Sequence, residues 1–178
     1  MPRYAGSGDV PPCCTEQTPL LGAHGWKALQ NQTQRLADES GLPVEQVRRL
    51  LRRYGSLVGE ILELAERRPE LTRPVEGASP YLGVEMVYAA SHEGALHLDD
   101  VLARRTHVSF ETHDRGLTAA PRVAELIGDV LGWDGEGRRR EVARYEAQVE
   151  SDRKSEAVPD ERSAAELRRA ILSENSRL

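Results

Sequence analysis

The segment His92-Glu93-Gly94-Ala95-Leu96-His97 holds the residue types of a zinc site, two imidazoles and a carboxylate within six positions. Zinc hydrolases of the H-E-x-x-H type place the histidines four apart on one helix, so that both nitrogens face one ion. Here the spacing is five, which turns the second imidazole about 140° from the first at about 100° per residue. Glu93, His97 and Asp100 share a face only on an unbroken helix, and Gly94 interrupts it. The expectation is a polar helix junction with no metal ligands.

Other chemistries fail on spacing as well. A dinucleotide site needs a strand, then G-x-G-x-x-G, then a helix whose N-terminus faces the pyrophosphate. Gly6-Ser7-Gly8 begins that pattern, but Pro11 stands where the third glycine belongs and no strand precedes it. Gly135-Glu136-Gly137 runs into Arg138-Arg139-Arg140 instead of completing the pattern. Gly55-Ser56-Leu57-Val58-Gly59 lacks the G-x-S-x-G order of a nucleophile elbow. Cys13-Cys14 has no second pair of ligands for a zinc ribbon, and adjacent cysteines rarely bridge, so two free thiols are expected. No catalytic, cofactor-binding or metal-binding residue is assigned.

Charged clusters remain. Arg48, Arg49, Arg52 and Arg53 form one stripe on a helix. It is a candidate interaction face for an acidic partner, against the plainer reading of a solvated face paired locally, for example with Glu45. Asp100 and Arg104 stand four apart in the favourable acid-then-base order. Arg104-Arg105-Thr106 then suits a structural role, since a guanidinium fork can fix a loop to a helix.

The elements that position these residues read as helices. Trp26, Leu29, Thr33 and Leu36 recur at three and four residues, and Gly41 and Pro43 separate this helix from the next. Val44, Val47, Leu50, Leu51 and Tyr54 mark a second helix, and a third begins after Gly55 at Ser56. A fourth, about 81–93, is apolar over more than half its circumference and belongs near the centre. A short helix at about 99–104 follows, acidic first and basic last. Val108 and Phe110 alternate with polar residues, so 106–111 reads as a short extended piece. Helices at about 121–131 and 137–154 follow, the latter capped by Asp134 and ended by Pro159. A weak helix over about 163–172 closes the chain. With no βαβ alternation and no internal repeat, the fold class is all-α.

Size and charge narrow the functional classes. The 178 residues suffice for one domain with tails, and 39% hydrophobic with 30% charged residues is ordinary for a globular chain. A net charge of −5 repels nucleic acid in bulk. No apolar run approaches the roughly 20 residues that span a bilayer, and no secretory leader is evident, which points to the cytoplasm.

One long run is specific. Tyr81-Leu82-Gly83-Val84-Glu85-Met86-Val87-Tyr88-Ala89-Ala90-Ser91-His92-Glu93-Gly94 continues through Asp100-Val101-Leu102-Ala103-Arg104-Arg105-Thr106. It resembles the C-terminal domain of aerobic, FAD-dependent glycerol-3-phosphate dehydrogenases, whose D-x-L-x-R-R-T core it carries with Val101 inside. Thr18-Pro19-Leu20-Leu21-Gly22-Ala23, Arg53-Tyr54-Gly55-Ser56, Asp114-Arg115-Gly116 and Val130-Leu131-Gly132-Trp133-Asp134 are similar to further pieces of that domain, in order, over about residues 15–153. The resemblance implies a multi-helix cap domain at 20–153, with a flexible arm at 1–19 and a tail at 154–178. It transfers only the motif residues Glu85, Asp100, Arg104, Arg105 and Thr106, as structural ones. It implies that FAD, substrate and quinone belong to a separate flavin domain, an expected partner, and that this chain holds no cofactor and is silent alone. The parent enzyme is expected as a peripheral protein at the inner face of the plasma membrane. A cap of this kind should also expose an apolar patch, expected on the helices around Tyr81–Glu93 or Ala95–Arg105.

Overall fold

The structure is a computed structural model and describes residues 13–158 and 160–175. Its described residues form nine α-helices, and their only β pairing is an isolated bridge between Pro74 and Leu82. The all-α class therefore holds. The chain divides into two compact units, one ending at Glu60 and one beginning at Ile61.

The first unit contains α1 (Trp26–Gln30), α2 (Thr33–Ser40) and α3 (Val44–Tyr54). The single helix expected from Trp26 onward is split at Asn31 and Gln32. The Thr33 hydroxyl donates to the Gln30 carbonyl (2.6 Å), a local bond of the kind that competes with the helical ladder. α3 has the expected bounds, and its stripe of Val47, Leu50, Leu51 and Tyr54 is buried. Both α1 and α2 pack on it.

Two glycines far apart in sequence meet in this unit. The Ser56 N–H donates to the Gly22 carbonyl (2.8 Å). Gly55 has φ +58, and a Cβ there would lie 2.1 Å from the Gly22 oxygen. A Cβ on Gly22 would lie 2.6 Å from the Tyr54 oxygen. Only glycines allow the backbones this close. The Trp26 indole N–H adds a bond to the Leu51 carbonyl (3.0 Å), so the segment that opens the domain is tied to the end of α3 at two points.

A 3₁₀ turn at Gly55–Leu57 leads into α4 (Val58–Arg67), which carries the chain into the second unit. α5 (Gly83–Ser91) is central there, as its composition demands: every residue from Gly83 to Ala89 is buried. α7 (Ala120–Leu131) packs against α5, α8 (Gly135–Glu156) against α7, and α9 (Glu161–Asn175) against α8. Asp134 caps α8 as expected, accepting the Gly137 N–H (2.6 Å). Pro159 and residues 1–12, much of the expected arm, lie outside the described residues.

Two expectations need correction. The stretch 106–111 is not extended, since Val108–Glu111 forms a helical turn, α6. The N–H groups of Phe110 and Glu111 return to the His107 carbonyl (2.9 and 3.0 Å), because no neighbouring strand offers acceptors. The helix expected at 99–104 is a π-helix over Asp100–Arg105. Of the two segments expected to carry an apolar patch, 81–89 is buried in the core, whereas Leu96 on 95–105 is exposed; the other exposed large apolar residues include Leu20, Leu21 and Phe110.

Candidate functional site

Glu85 lies on α5, and the other four motif residues, Asp100, Arg104, Arg105 and Thr106, lie on the π-helix of the second unit or at its end. Asp100 closes its start: Oδ2 accepts the N–H groups of Leu96 (3.0 Å) and His97 (3.1 Å), and Oδ1 accepts from Arg104 (3.0 Å). Partial burial pushes the Asp100 carboxyl up, but these N–H groups and the charge of Arg104 outweigh it and hold the group below the usual range. Arg104 also binds Asp99, five residues back, which the wide π turn brings alongside.

Arg105 turns the other way. Its Nε and Nη2 both donate to the Glu93 carbonyl (3.1 and 3.0 Å), clasping the loop that follows α5. Thr106 is fully buried, and its hydroxyl and N–H both donate to the Val101 carbonyl (2.7 and 2.8 Å). That five-residue step defines the π turn. Glu85, also fully buried, accepts the Leu82 N–H at the start of α5 (2.9 Å). The five motif residues thus tie loops to helix ends, each through backbone groups or local charges.

Partners that sequence reasoning did not assign complete the frame. Glu141 of α8 lies 3.0 Å from His97 Nδ1, accepts the Leu98 N–H (3.3 Å) and pairs with Arg144 (3.3 Å). At the Asp114-Arg115-Gly116 corner, the Asp114 carboxylate accepts the N–H groups of Thr118 (2.8 Å) and Gly116 (3.0 Å). The Thr118 hydroxyl and N–H lead in bringing the Asp114 carboxyl down to about 2. Arg115 adopts φ 61, rare for a non-glycine residue. Its carbonyl accepts the Tyr145 hydroxyl (2.7 Å), and its guanidinium grips both oxygens of Glu156 (2.6 Å each). Burial raises the Tyr145 hydroxyl to about 12. Resemblance marked the corner, but nothing local in the sequence signalled that α8 closes it from 30 and 41 residues away.

A cleft of about 480 Å³ opens here, lined among others by Arg104, Phe110, Arg115, Tyr145, Asp152 and Glu156. Its two arginines are engaged by Asp99, Asp100 and Glu156. The cleft presents no nucleophile with an oriented base.

The remaining candidates resolve locally. His92 stacks on Tyr88 with ring centroids 4.6 Å apart, whereas His97 turns to Glu141, so the two imidazoles keep separate partners. Among the described residues no three metal-ligating side chains converge. Ser91 Oγ lies 2.7 Å from His92 Nδ1, but its proton goes to the Val87 carbonyl (2.8 Å), which is no nucleophile geometry. The described residues contain no strand to carry the glycine turn of a doubly wound dinucleotide fold. Cys13 and Cys14 are exposed free thiols. On α3, Arg48 pairs with Glu45, Arg49 donates to Gln46 (3.1 Å), Arg53 lies over the Tyr54 ring (5.7 Å) and Arg52 is exposed.

Sequence comparison places the chain in a family. The sequence model of the C-terminal domain of alpha-glycerophosphate oxidase matches residues 13–138. The chain is 49% identical over 159 residues to a glycerol-3-phosphate dehydrogenase of Mycobacterium leprae (strain TN), covering 89% of this chain and 27% of that protein. It is 48% identical, with the same coverage, to glycerol-3-phosphate dehydrogenase 2 of Mycobacterium tuberculosis (strain ATCC 25618 / H37Rv). A probable mitochondrial glycerol-3-phosphate dehydrogenase of Dictyostelium discoideum is 31% identical over 130 residues, 73% of this chain and 20% of that protein. No solved structure matches. The chain spans about a quarter of the length of the mycobacterial relatives. No helix among the described residues is long and apolar enough to cross a membrane. With residues 13–138, most of its length, matched, the chain belongs to the family of the C-terminal domain of alpha-glycerophosphate oxidase.

Proposed function

We propose that this chain is a helical cap that works beside a FAD-containing glycerol-3-phosphate dehydrogenase domain and performs no redox chemistry by itself. One observation carries the reading: the matched region is a C-terminal domain occupying about 27% of its mycobacterial relatives. The clasped charges support it, because Asp100, Arg104, Arg105 and Glu85 serve backbone groups and one another instead of facing a substrate. In this reading the oxidation of glycerol 3-phosphate to dihydroxyacetone phosphate, with electrons passing to quinone, takes place on the partner domain. Association of that partner with the inner face of the plasma membrane belongs to the same proposal.

The test is a dehydrogenase assay with glycerol 3-phosphate, FAD and an artificial electron acceptor. The purified chain is assayed alone, then mixed with the separately produced preceding portion of the M. leprae relative. Activity that rises only in the mixture is expected. Activity of the chain alone refutes the proposal.

A further inference from the structure

Among the described residues, the most exposed large apolar side chains sit side by side: Leu20 is 82% and Leu21 88% exposed. Every residue from Cys13 to Leu21 is exposed. The exposure is imposed by ordered backbone. The Ala23 N–H returns to the Leu20 carbonyl (3.0 Å), and the next residue, Gly22, is fixed to the end of α3 by the Ser56 N–H (2.8 Å) and by the contact with Gly55. A turn held this way presents two adjacent leucines outward.

The family match says what lies near. The matched domain is C-terminal, so the larger part of each relative precedes it, and the match begins at Cys13. Leu20 and Leu21 follow seven and eight residues later. At about 3.3–3.6 Å per residue they stand within about 29 Å of the point where the preceding portion joins in such a relative. A surface tethered that closely to a large domain is well placed to dock on it.

We infer that Pro19-Leu20-Leu21 is the docking edge for the flavin-containing portion of a glycerol-3-phosphate dehydrogenase of this family, which offers an apolar recess to the two leucines. The inference rests on the proposed function above and names its contact surface.

The test measures binding of the full chain to the portion of the M. leprae relative that precedes the matched segment. That portion is produced with FAD, and its flavin absorbance verifies that it is folded. Titration calorimetry compares the chain with a Leu20→Ser/Leu21→Ser variant and with Arg52→Ala as a surface control. Thermal melts monitored by circular dichroism check that both variants fold as the parent does. Because two apolar side chains lose their burial, affinity should fall tenfold or more for the leucine variant and stay within twofold for Arg52→Ala. Equal affinity for all three overturns the docking edge and leaves the cap reading standing. No binding by the parent chain overturns both. Self-association that the leucine substitutions abolish, without binding to the flavin portion, identifies a second copy as the occupant and also overturns the inference.

Discussion

Replacing Asp114 by Asn should expose how much the corner before α7 depends on charge. The Asp114 carboxyl lies at about 2, displaced from 3.8, and it accepts two backbone N–H groups as well as hydroxyl contacts. That displacement is worth at most about 2.4 kcal/mol. The carboxyl is only partly shielded from water, so about 1 kcal/mol is the reasonable share. The group titrates lower in the folded chain than in the unfolded one. Its stabilisation is therefore complete above pH about 5, and it is lost as the pH falls through about 4 towards about 2. Asn keeps a carbonyl acceptor but no charge, and so imitates the protonated acid. Urea unfolding at pH 7 should show Asp114→Asn weaker by about 1 kcal/mol, or about 2–4 °C in a thermal melt. At pH 2.5 the difference should shrink to about a third of its value at pH 7. A difference at pH 7 that persists unchanged at pH 2.5 would refute the electrostatic account of this corner.

Four further outcomes are expected. Tyr145→Phe removes the bond to the Arg115 carbonyl and should cost about 1 kcal/mol; in a double-mutant cycle with Asp114→Asn the two losses should be non-additive by about 0.5 kcal/mol. Glu85→Ala strips a fully buried acceptor from the Leu82 N–H and should cost about 2–3 kcal/mol in chemical unfolding, with Glu85→Gln losing less. Gly55→Ala sets a Cβ against the Gly22 carbonyl at φ +58, and should lower stability by more than about 2 kcal/mol or separate the opening segment from α3, seen as faster amide exchange at Ser56. Cys13 and Cys14 should both react with a thiol reagent in the native protein without loss of helical signal, Cys13 sooner because its hydrogen bond with Thr15 lowers the thiol.

Periodicity carried much of the fold. The stripe of α3 and the burial of α5 followed from apolar spacing, and the Asp134 cap followed from residue type. Local pattern failed where two geometries share it. Val108 and Phe110 alternate as a strand would, yet one is buried and the other 78% exposed on a single helical turn. The acidic-to-basic run at 99–105 suits α and π turns alike. The frame of the motif was legible only in part, because its closing contacts are long-range. His97 finds Glu141 from 44 positions away, and Gly22 finds Gly55 across α1, α2 and α3. No window of a dozen residues contains such pairs.

The π-helix at Asp100–Arg105 has a consequence for insertions and deletions. Where carbonyl and amide are paired five apart, the coil holds one more residue than an α-helical path would need. Excising Ala103 would therefore let the turn relax to the ordinary ladder with the downstream residues nearly in phase, because five residues in the wide turn rotate about as far as four at about 100° each. Arg104 would then stand four residues from Asp99 and three from Asp100, and Thr106 four from Val101, all spacings that face one another on an α-helix. A homologue aligned with a one-residue gap here is thus expected to keep the clasp, so the letters of D-x-L-x-R-R-T are more diagnostic than its exact length.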